Sequence, residues 1–189
     1  ELQGTQNTRY AESCNDLGAM YDLLGDFKKA ESLYLQANKI WAKLHGKNHP
    51  DYATSCNNLA ILYQNMGDLE KSESLYIEAQ SIRKVIIGEE HPDYAIGCLN
   101  LGTLYHTMGN YIKTEMFYSE AKDIFESTLS KNHYLYASSA NMLGEFYHSI
   151  GDYKEAETLF IEAKNIRENI LGKEHPDYAL SCNFLAALY

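Results

Sequence analysis

The sequence predicts an all-α fold of stacked helical hairpins. One pattern returns every 42 residues without insertions, and the apolar residues within each copy follow helical spacing. Pro occurs only three times, which favours long helices over a loop-rich β fold. The pattern is marked by Tyr10, Tyr52, Tyr94, Tyr136 and Tyr178, by Gly25, Gly67, Gly109 and Gly151, and by Ala37, Ala79, Ala121 and Ala163.

Each copy is interpreted as two helices joined by a short turn. In the second copy the first helix presents one apolar face, formed by Cys56, Leu59, Ala60 and Tyr63. Gly67 breaks this pattern where a left-handed residue suits the end of a helix, and Asp68 can cap the helix that follows. Neither helix buries its apolar face alone, so we expect neighbouring hairpins to share one continuous core.

The frame predicts helices near 9–24, 27–45, 50–66, 69–87, 92–108, 111–129, 134–150, 153–171 and 176–189. The four predicted repeats are 10–51, 52–93, 94–135 and 136–177. Residues 178–189 are interpreted as the first helix of a truncated fifth repeat. Gly4 stands 42 residues before Gly46, so 1–9 is interpreted as the tail of a preceding repeat. We expect the chain to belong to a longer array, or to an array followed by another domain.

Composition disfavours several classes of partner. The net charge is −10, and the acidic residues are dispersed along the chain. A nucleic-acid footprint or an anionic membrane surface would require a basic patch, so neither partner is expected. No apolar run is long enough to span a bilayer, and residues 1–10 lack the apolar core of a signal peptide.

The spacing of the cysteines and histidines indicates structural roles and not a metal-binding or catalytic site. The cysteines recur on the buried face about 10 Å apart, too far for a disulfide or a shared metal, which indicates free thiols in a reducing cytoplasm. His-Pro-Asp recurs with the repeat and is interpreted as an inter-repeat turn. No nucleophile motif or phosphate loop is present, so we expect no enzyme activity, metal or cofactor. The cysteines are Cys14, Cys56, Cys98 and Cys182, and a recurring Glu, also interpreted as structural, is Glu31, Glu73, Glu115 and Glu157.

The combination of Leu, a small residue, Tyr, Gly, an aromatic residue and Ala resembles the tetratricopeptide repeat. The 42-residue spacing is similar to the kinesin-light-chain branch, as in His91-Pro92-Asp93-Tyr94-Ala95. The resemblance implies a right-handed superhelical solenoid whose first helices line a concave, peptide-binding groove. Similar arrays also precede caspase-like effector domains in bacterial proteins. This chain departs from the family at its early Trp, which is Cys or Ala here, and its third inter-repeat turn lacks Pro.

The face opposite the buried stripe of each first helix varies between copies, which suits a recognition surface. Asn58 and Asn100 lie one period apart and resemble groove asparagines that bind peptide main chain in relatives. The predicted peptide-binding residues are Asn58, Asn100, Ile61, Asn65, Ile96, Thr103, Thr107, Met142, Glu145 and Phe184. The residues assigned to the groove flank are Asn57, Asn141, Asn183, His106 and His148. The regular asparagine ladder is also consistent with packing between helices.

Lys and Arg are concentrated outside the first helices, so we expect a neutral to mildly acidic groove. Such a groove disfavours a clamp for acidic C-termini, which needs cations, and favours an extended neutral or basic peptide with apolar anchors. The leading hypothesis is a protein–protein interaction scaffold. The alternatives are a regulatory array of a larger effector enzyme, a structural spacer, or self-association through uncapped ends.

Overall fold

The computed structural model describes residues 7–188, which are helical with no strand. The helices in that range are α1 (Thr8–Leu23), α2 (Phe27–Leu44), α3 (Pro50–Asn65), α4 (Leu69–Ile87), α5 (Pro92–Thr107), α6 (Tyr111–Leu129), α7 (Tyr134–Ser149), α8 (Tyr153–Leu171) and α9 (Pro176–Ala186). The predicted all-α fold is confirmed, and the predicted bounds agree to within one residue as far as Leu171. The final helix is shorter than predicted, since α9 ends at Ala186. Gly4, which supports the predicted tail at 1–9, and Tyr189 lie outside the described residues.

The turn inside each hairpin combines a left-handed glycine with a capping side chain. Gly67 has φ of 81°, a conformation open to Gly at little cost. The side chain of Asp68 then accepts a hydrogen bond from the Lys71 backbone N–H at 3.3 Å, as predicted. Asp26, Asn110 and Asp152 cap α2, α6 and α8 in the same way.

The turn between hairpins is capped by histidine. In α3 the Nδ1 atom of His49 accepts a hydrogen bond from the Asp51 backbone N–H at 3.3 Å, while Pro50 occupies the first turn. Four first helices have a histidine cap of this kind, His49, His91, His133 and His175, although α7 begins with Tyr134 in place of Pro. The prediction that His-Pro-Asp forms an inter-repeat turn is confirmed, and the imidazole's role as the capping acceptor is the additional finding.

Small residues allow the two helices of a hairpin to pack closely. A Cβ atom added to Gly102 would lie 2.5 Å from the ring of Tyr118, and one added to Gly144 would lie 2.8 Å from Phe160. Gly18 meets Tyr34 in the same way in the first hairpin. Glycine at these positions therefore gives the aromatic ring of the second helix the space it occupies.

The described helices group into two compact units, α1–α4 (unit 1) and α5–α9 (unit 2). In unit 1, Cys14, Trp41 and Cys56 belong to one buried cluster, and a second cluster surrounds Leu62. In unit 2 a single larger cluster includes Phe125 and Tyr136. In both units the spacing of the repeat places most of its Tyr, Leu and Ala positions in the core, as stacked hairpins require, although Leu17 and Ala179 are exposed.

Candidate functional site

The first helices of successive hairpins are joined directly in each unit. In unit 1 the Asn65 amide donates to both carboxylate oxygens of Asp22 at 3.1 Å, which links α3 to α1. In unit 2 the Nε2 atom of His106 lies 3.1 Å from the hydroxyl of Ser149, which links α5 to α7. Because Ser149 donates its own proton to the Phe146 carbonyl, the imidazole is the donor in this pair.

The predicted face is accessible in unit 1. Asn58 and Ile61 are half-buried, and Asn65 is exposed near the end of α3. No side chain or backbone group in residues 7–188 hydrogen-bonds the Asn58 amide, whereas the Asn65 amide is held by Asp22. Asn58 therefore retains its donor and acceptor for a ligand, and Asn65 offers chiefly its carbonyl oxygen.

The corresponding face in unit 2 is also accessible, although its hydroxyl groups are already engaged. Ile96 and Thr107 are exposed on α5, and Asn100 is half-buried beside them. Thr103 donates its hydroxyl proton to the Leu99 carbonyl at 3.0 Å, and Thr107 donates to the Thr103 carbonyl at 2.9 Å. These two threonines can offer a ligand only acceptor lone pairs or their methyl groups.

On α7, Met142 is half-buried and packs against the unit 2 core, while Glu145 is exposed. The Asn141 amide donates to Glu145 Oε1 at 2.5 Å. Partial desolvation raises the pKa of Glu145, and the Asn141 hydrogen bond and the nearby Arg167 charge oppose that shift. Sequence analysis did not connect Arg167 with this site, because the two residues lie on different helices.

The asparagine ladder is uneven in the structure. Asn57 and Asn141 are buried, Asn183 is exposed, and the intervening position is the buried Leu99. The Oδ1 atom of Asn141 is buried and has no hydrogen-bond partner within residues 7–188. The ladder is therefore not a uniform packing feature, and the Oδ1 atom of Asn15 in α1 is likewise buried without a partner in that range.

Two further predicted residues are engaged in aromatic packing. The ring of Phe184 stacks on Phe160 with centroids 5.2 Å apart, which ties α9 to α8. His148 lies 5.5 Å from the ring of Tyr153. Phe184 is half-buried, so part of its surface is still accessible.

The first helices carry few cations, as expected, although Arg9 in the first turn of α1 is an exception. The remaining Lys and Arg side chains lie on second helices or in loops, where several cover tyrosines. Lys113 lies 4.2 Å from the ring centroid of Tyr105, and Lys71 lies 4.9 Å from that of Tyr63. The mid-helix face is therefore neutral in α3 and α5 and acidic at one position in α7.

Two of the recurring glutamates, Glu31 and Glu115, accept hydrogen bonds from tyrosines of the following hairpin, which agrees with the structural role predicted for them. Tyr63 donates to Glu31 at 2.7 Å, and Tyr147 donates to Glu115 at 2.6 Å. Burial is the main cause that raises the pKa of Tyr63 to about 12, and the Glu31 bond adds to it. A second set joins the helices of one hairpin, as where Tyr52 donates to Glu78 at 3.0 Å. The sequence showed the period of these residues but not their partners.

The cysteines carry free thiols, and Cys14, Cys56 and Cys98 are buried. Burial raises the pKa of Cys56 to about 11, which keeps this thiol protonated and unreactive. Within residues 7–188 no group of three His, Cys, Asp or Glu side chains is arranged to hold a metal ion.

Comparison with known proteins identifies the family. The family model described as tetratricopeptide repeat matches residues 9–64, 56–127, 97–160 and 135–189. The chain belongs to the tetratricopeptide repeat family. Such repeats are generally protein–protein interaction scaffolds. The search of curated proteins gives no match.

Solved structures include similar tetratricopeptide arrays. The structure of BtubC (BKLC) from P. vanneervenii is 29% identical with a TM-score of 0.84, over 96% of this chain and 72% of that one. A putative kinesin light chain from Podosopora anserina with nearly identical repeats is 25% identical with a TM-score of 0.81, over 100% and 88%. A signal transduction ATPase with a tetratricopeptide repeat sensor, from Pyrococcus horikoshii, is 19% identical with a TM-score of 0.77, over 95% of this chain and 27% of that one. The last likeness concerns the fold alone.

None of the helices described for this tetratricopeptide array is long and apolar enough to cross a membrane.

Proposed function

We propose that this array is a non-enzymatic protein–protein interaction scaffold of the cytoplasm whose first helices bind an extended neutral or basic peptide. The observation that carries the proposal is the face of α5 and α7. A contact between His106 and Ser149 joins these helices. Ile96 is exposed on their surface, and Asn100 and Met142 are half-buried. Amide and apolar side chains in one row match the needs of an extended peptide, whose backbone bonds amides while its side chains enter apolar sites.

Unit 1 offers the same combination on α3. The Asn58 amide has no partner within residues 7–188, and Ile61 lies one turn further along the helix. A peptide backbone presents a donor and an acceptor at alternate positions, and a carboxamide satisfies both. We therefore propose that Asn58 in unit 1 binds peptide main chain, and that Asn100, on the corresponding face of unit 2, has the same role there.

The charge of the face supports a neutral or basic ligand. The first helices carry no Lys or Arg beyond Arg9, so an acidic peptide would find no cation to replace its hydration on α3, α5 or α7. The free, buried cysteines support a reducing compartment, because such thiols persist where disulfides do not form.

A peptide-display selection on the whole chain tests this function. We expect neutral or basic sequences to be enriched, and we expect the Asn58→Ala/Asn100→Ala variant to lose them while its helicity is unchanged. The matched control is Asn165→Ala/Asn169→Ala, which removes two exposed amides from the second helix α8. Failure to enrich any peptide, or equal enrichment on both variants, would contradict the proposal and favour a spacer or a regulatory array.

A further inference from the structure

Glu145 is an isolated charge on an otherwise neutral surface. Apart from histidines, α5 and α7 contain two charged side chains, Asp93 in the first turn of α5 and Glu145 near the middle of the α7 face. The same repeat position is Ala19 in α1, Ile61 in α3 and Thr103 in α5. The carboxylate therefore marks one hairpin and is not a general feature of the repeat.

Glu145 is held in place, yet its charge is not paired. Asn141 donates to its Oε1 atom, and no residue within 7–188 bonds its Oε2 atom. No Lys, Arg or His side chain in that range lies within ion-pair distance of the carboxylate. An exposed carboxylate with one fixed oxygen and one open oxygen can accept a hydrogen bond from a charged donor.

Arg167 is the cation whose field reaches Glu145, but its Nη1 donor is directed towards α9. Its Nη1 atom donates to the Ser181 hydroxyl at 2.7 Å and lies 3.4 Å from the Asp177 carbonyl oxygen. Arg167 is buried, so it cannot turn towards the carboxylate without breaking these bonds to α9. Its attraction is therefore partial, and the pKa of Glu145 remains raised because desolvation is the larger effect.

Asn141 supplies a second, independent observation. This side chain is 4% exposed, and its Oδ1 atom is buried without a partner in the part of the chain that the structure describes. The amide orientation is fixed by chemistry, because the N–H side attracts the Glu145 carboxylate and the carbonyl side would be repelled. Because this oxygen is enclosed by the chain, Asn141 acts on a ligand through the Glu145 Oε1 atom that its N–H group holds.

The tyrosine next to this site does not satisfy either acceptor. Thr103 uses its proton on the Leu99 carbonyl, so the Tyr118 hydroxyl donates to the Thr103 oxygen at 3.0 Å. Burial is the main cause that raises the pKa of Tyr118, and the charge of Glu145 adds to it, which places the phenol within the field of the carboxylate. The tyrosine proton is therefore committed to α5, and the carboxylate must find its donor outside the chain.

We propose that Glu145, held in position by Asn141, forms a subsite for one arginine side chain of the bound peptide, an inference that rests on the function proposed above. A guanidinium has five donors in one plane, which suits the two oxygen atoms of a carboxylate. Lysine concentrates its charge at one point and keeps its water more tightly, so it is the weaker ligand. The site adds charge selection to a face that otherwise offers amides and apolar groups.

The subsite is tested with a small probe that needs no peptide. Nα-acetyl-arginine methylamide is titrated into the whole ¹⁵N-labelled chain at low salt, and the side-chain amide signal of Asn141 is followed by NMR. The neutral isostere Nα-acetyl-citrulline methylamide is titrated in parallel. We expect a saturable shift with the arginine probe alone, weakened about tenfold by Glu145→Gln and unchanged by Glu174→Gln, an exposed carboxylate in the same unit. No saturable shift, an equal shift with citrulline, or no effect of Glu145→Gln would overturn the subsite.

A second arm separates this inference from the proposed function. The display selection is repeated on Glu145→Gln, whose fold is checked by its helicity. Peptides that remain enriched but lose arginine support both proposals. Peptides that keep their arginine leave the scaffold function in place and overturn the subsite. If no peptide is enriched on either chain, the scaffold function fails, and the arginine probe alone decides whether the subsite exists.

Discussion

Unit 1 and unit 2 are built from the same 42-residue repeat but differ at the positions that are not the same in every copy. At one face position unit 1 has Ile61, whereas unit 2 has Glu145 on a rigid asparagine support. At one core position unit 1 has Trp41, whereas unit 2 has Phe125. At one turn position unit 1 has Gly88, whereas unit 2 has Ser130. The buried positions that recur in every copy specify the hairpin. The residues that differ between copies give each unit its own stability and chemistry.

The largest expected effect comes from the core position. Phe125 is fully buried, so Phe125→Ala should lower the free energy of unfolding by about 3–5 kcal/mol through lost burial and a residual cavity. Trp41→Phe should cost less than about 1.5 kcal/mol, because it also removes an indole N–H that is buried without a partner within residues 7–188. Urea unfolding followed by circular dichroism compares the two. Equal losses would contradict the different roles of these aromatic residues.

The hairpin contact gives the next largest effect. A Cβ atom at Gly102 would lie 2.5 Å from the Tyr118 ring, so Gly102→Ala should destabilise the chain by about 1–3 kcal/mol. Unit 1 carries the buried Ala60 at this position, and Ala60→Gly should cost about 1–2 kcal/mol through helix propensity and the loss of one buried methyl group. The thermal midpoints of the two variants check this ordering. Stabilisation by Gly102→Ala would show that the packing is looser than the structure indicates.

The turn position predicts a gain in stability. Ser130 has φ of 80° and ψ of 161°, a region that is costly for any residue with a Cβ atom, and Gly88 has φ of 85° and ψ of 162°. Ser130→Gly should therefore raise the free energy of unfolding by about 1 kcal/mol, and Gly88→Ser should lower it by a similar amount. Calorimetry on both variants measures the opposite shifts. A loss of stability in Ser130→Gly would mean that the serine makes a compensating contact.

The smallest expected effect is the loss of stability caused by tyrosine ionisation, which is absent at neutral pH and appears only in alkaline solution. Burial raises the pKa of Tyr34 and Tyr63 to about 12, above the value near 10 of an unfolded tyrosine. Stability should begin to fall near pH 9, where the Cys56 thiol of the unfolded chain ionises. It should fall most steeply as pH rises from 10 to 12, because there the tyrosines ionise freely only in the unfolded chain. Thermal midpoints across this window measure the fall. Tyr63→Phe should make the thermal midpoint fall less steeply with pH. An unchanged fall would show that Tyr63 does not contribute to this pH dependence.

The fold was predictable because every copy of the repeat gives the same evidence. Gly67, Asp68 and the Tyr-Ala positions identify turns, caps and core without knowledge of partners. The candidate site was only partly predictable. Asn58 and Glu145 could be placed on an exposed face from helical periodicity, but the Asn141 carbonyl without a partner and the diversion of Arg167 to Ser181 depend on packing between helices. Spacing along one helix carries no information about such contacts.

The central claim is that the exposed face of the first helices binds peptide, and titration calorimetry with one display-selected peptide tests it most directly. The affinity is compared for the natural chain, for Asn58→Ala/Asn100→Ala and for the control Asn165→Ala/Asn169→Ala. We predict a loss of about tenfold or more for the first variant, since each amide forfeits hydrogen bonds to the peptide main chain, and no loss for the control. Equal affinity in all three chains, or an equal loss in both variants, would contradict the account.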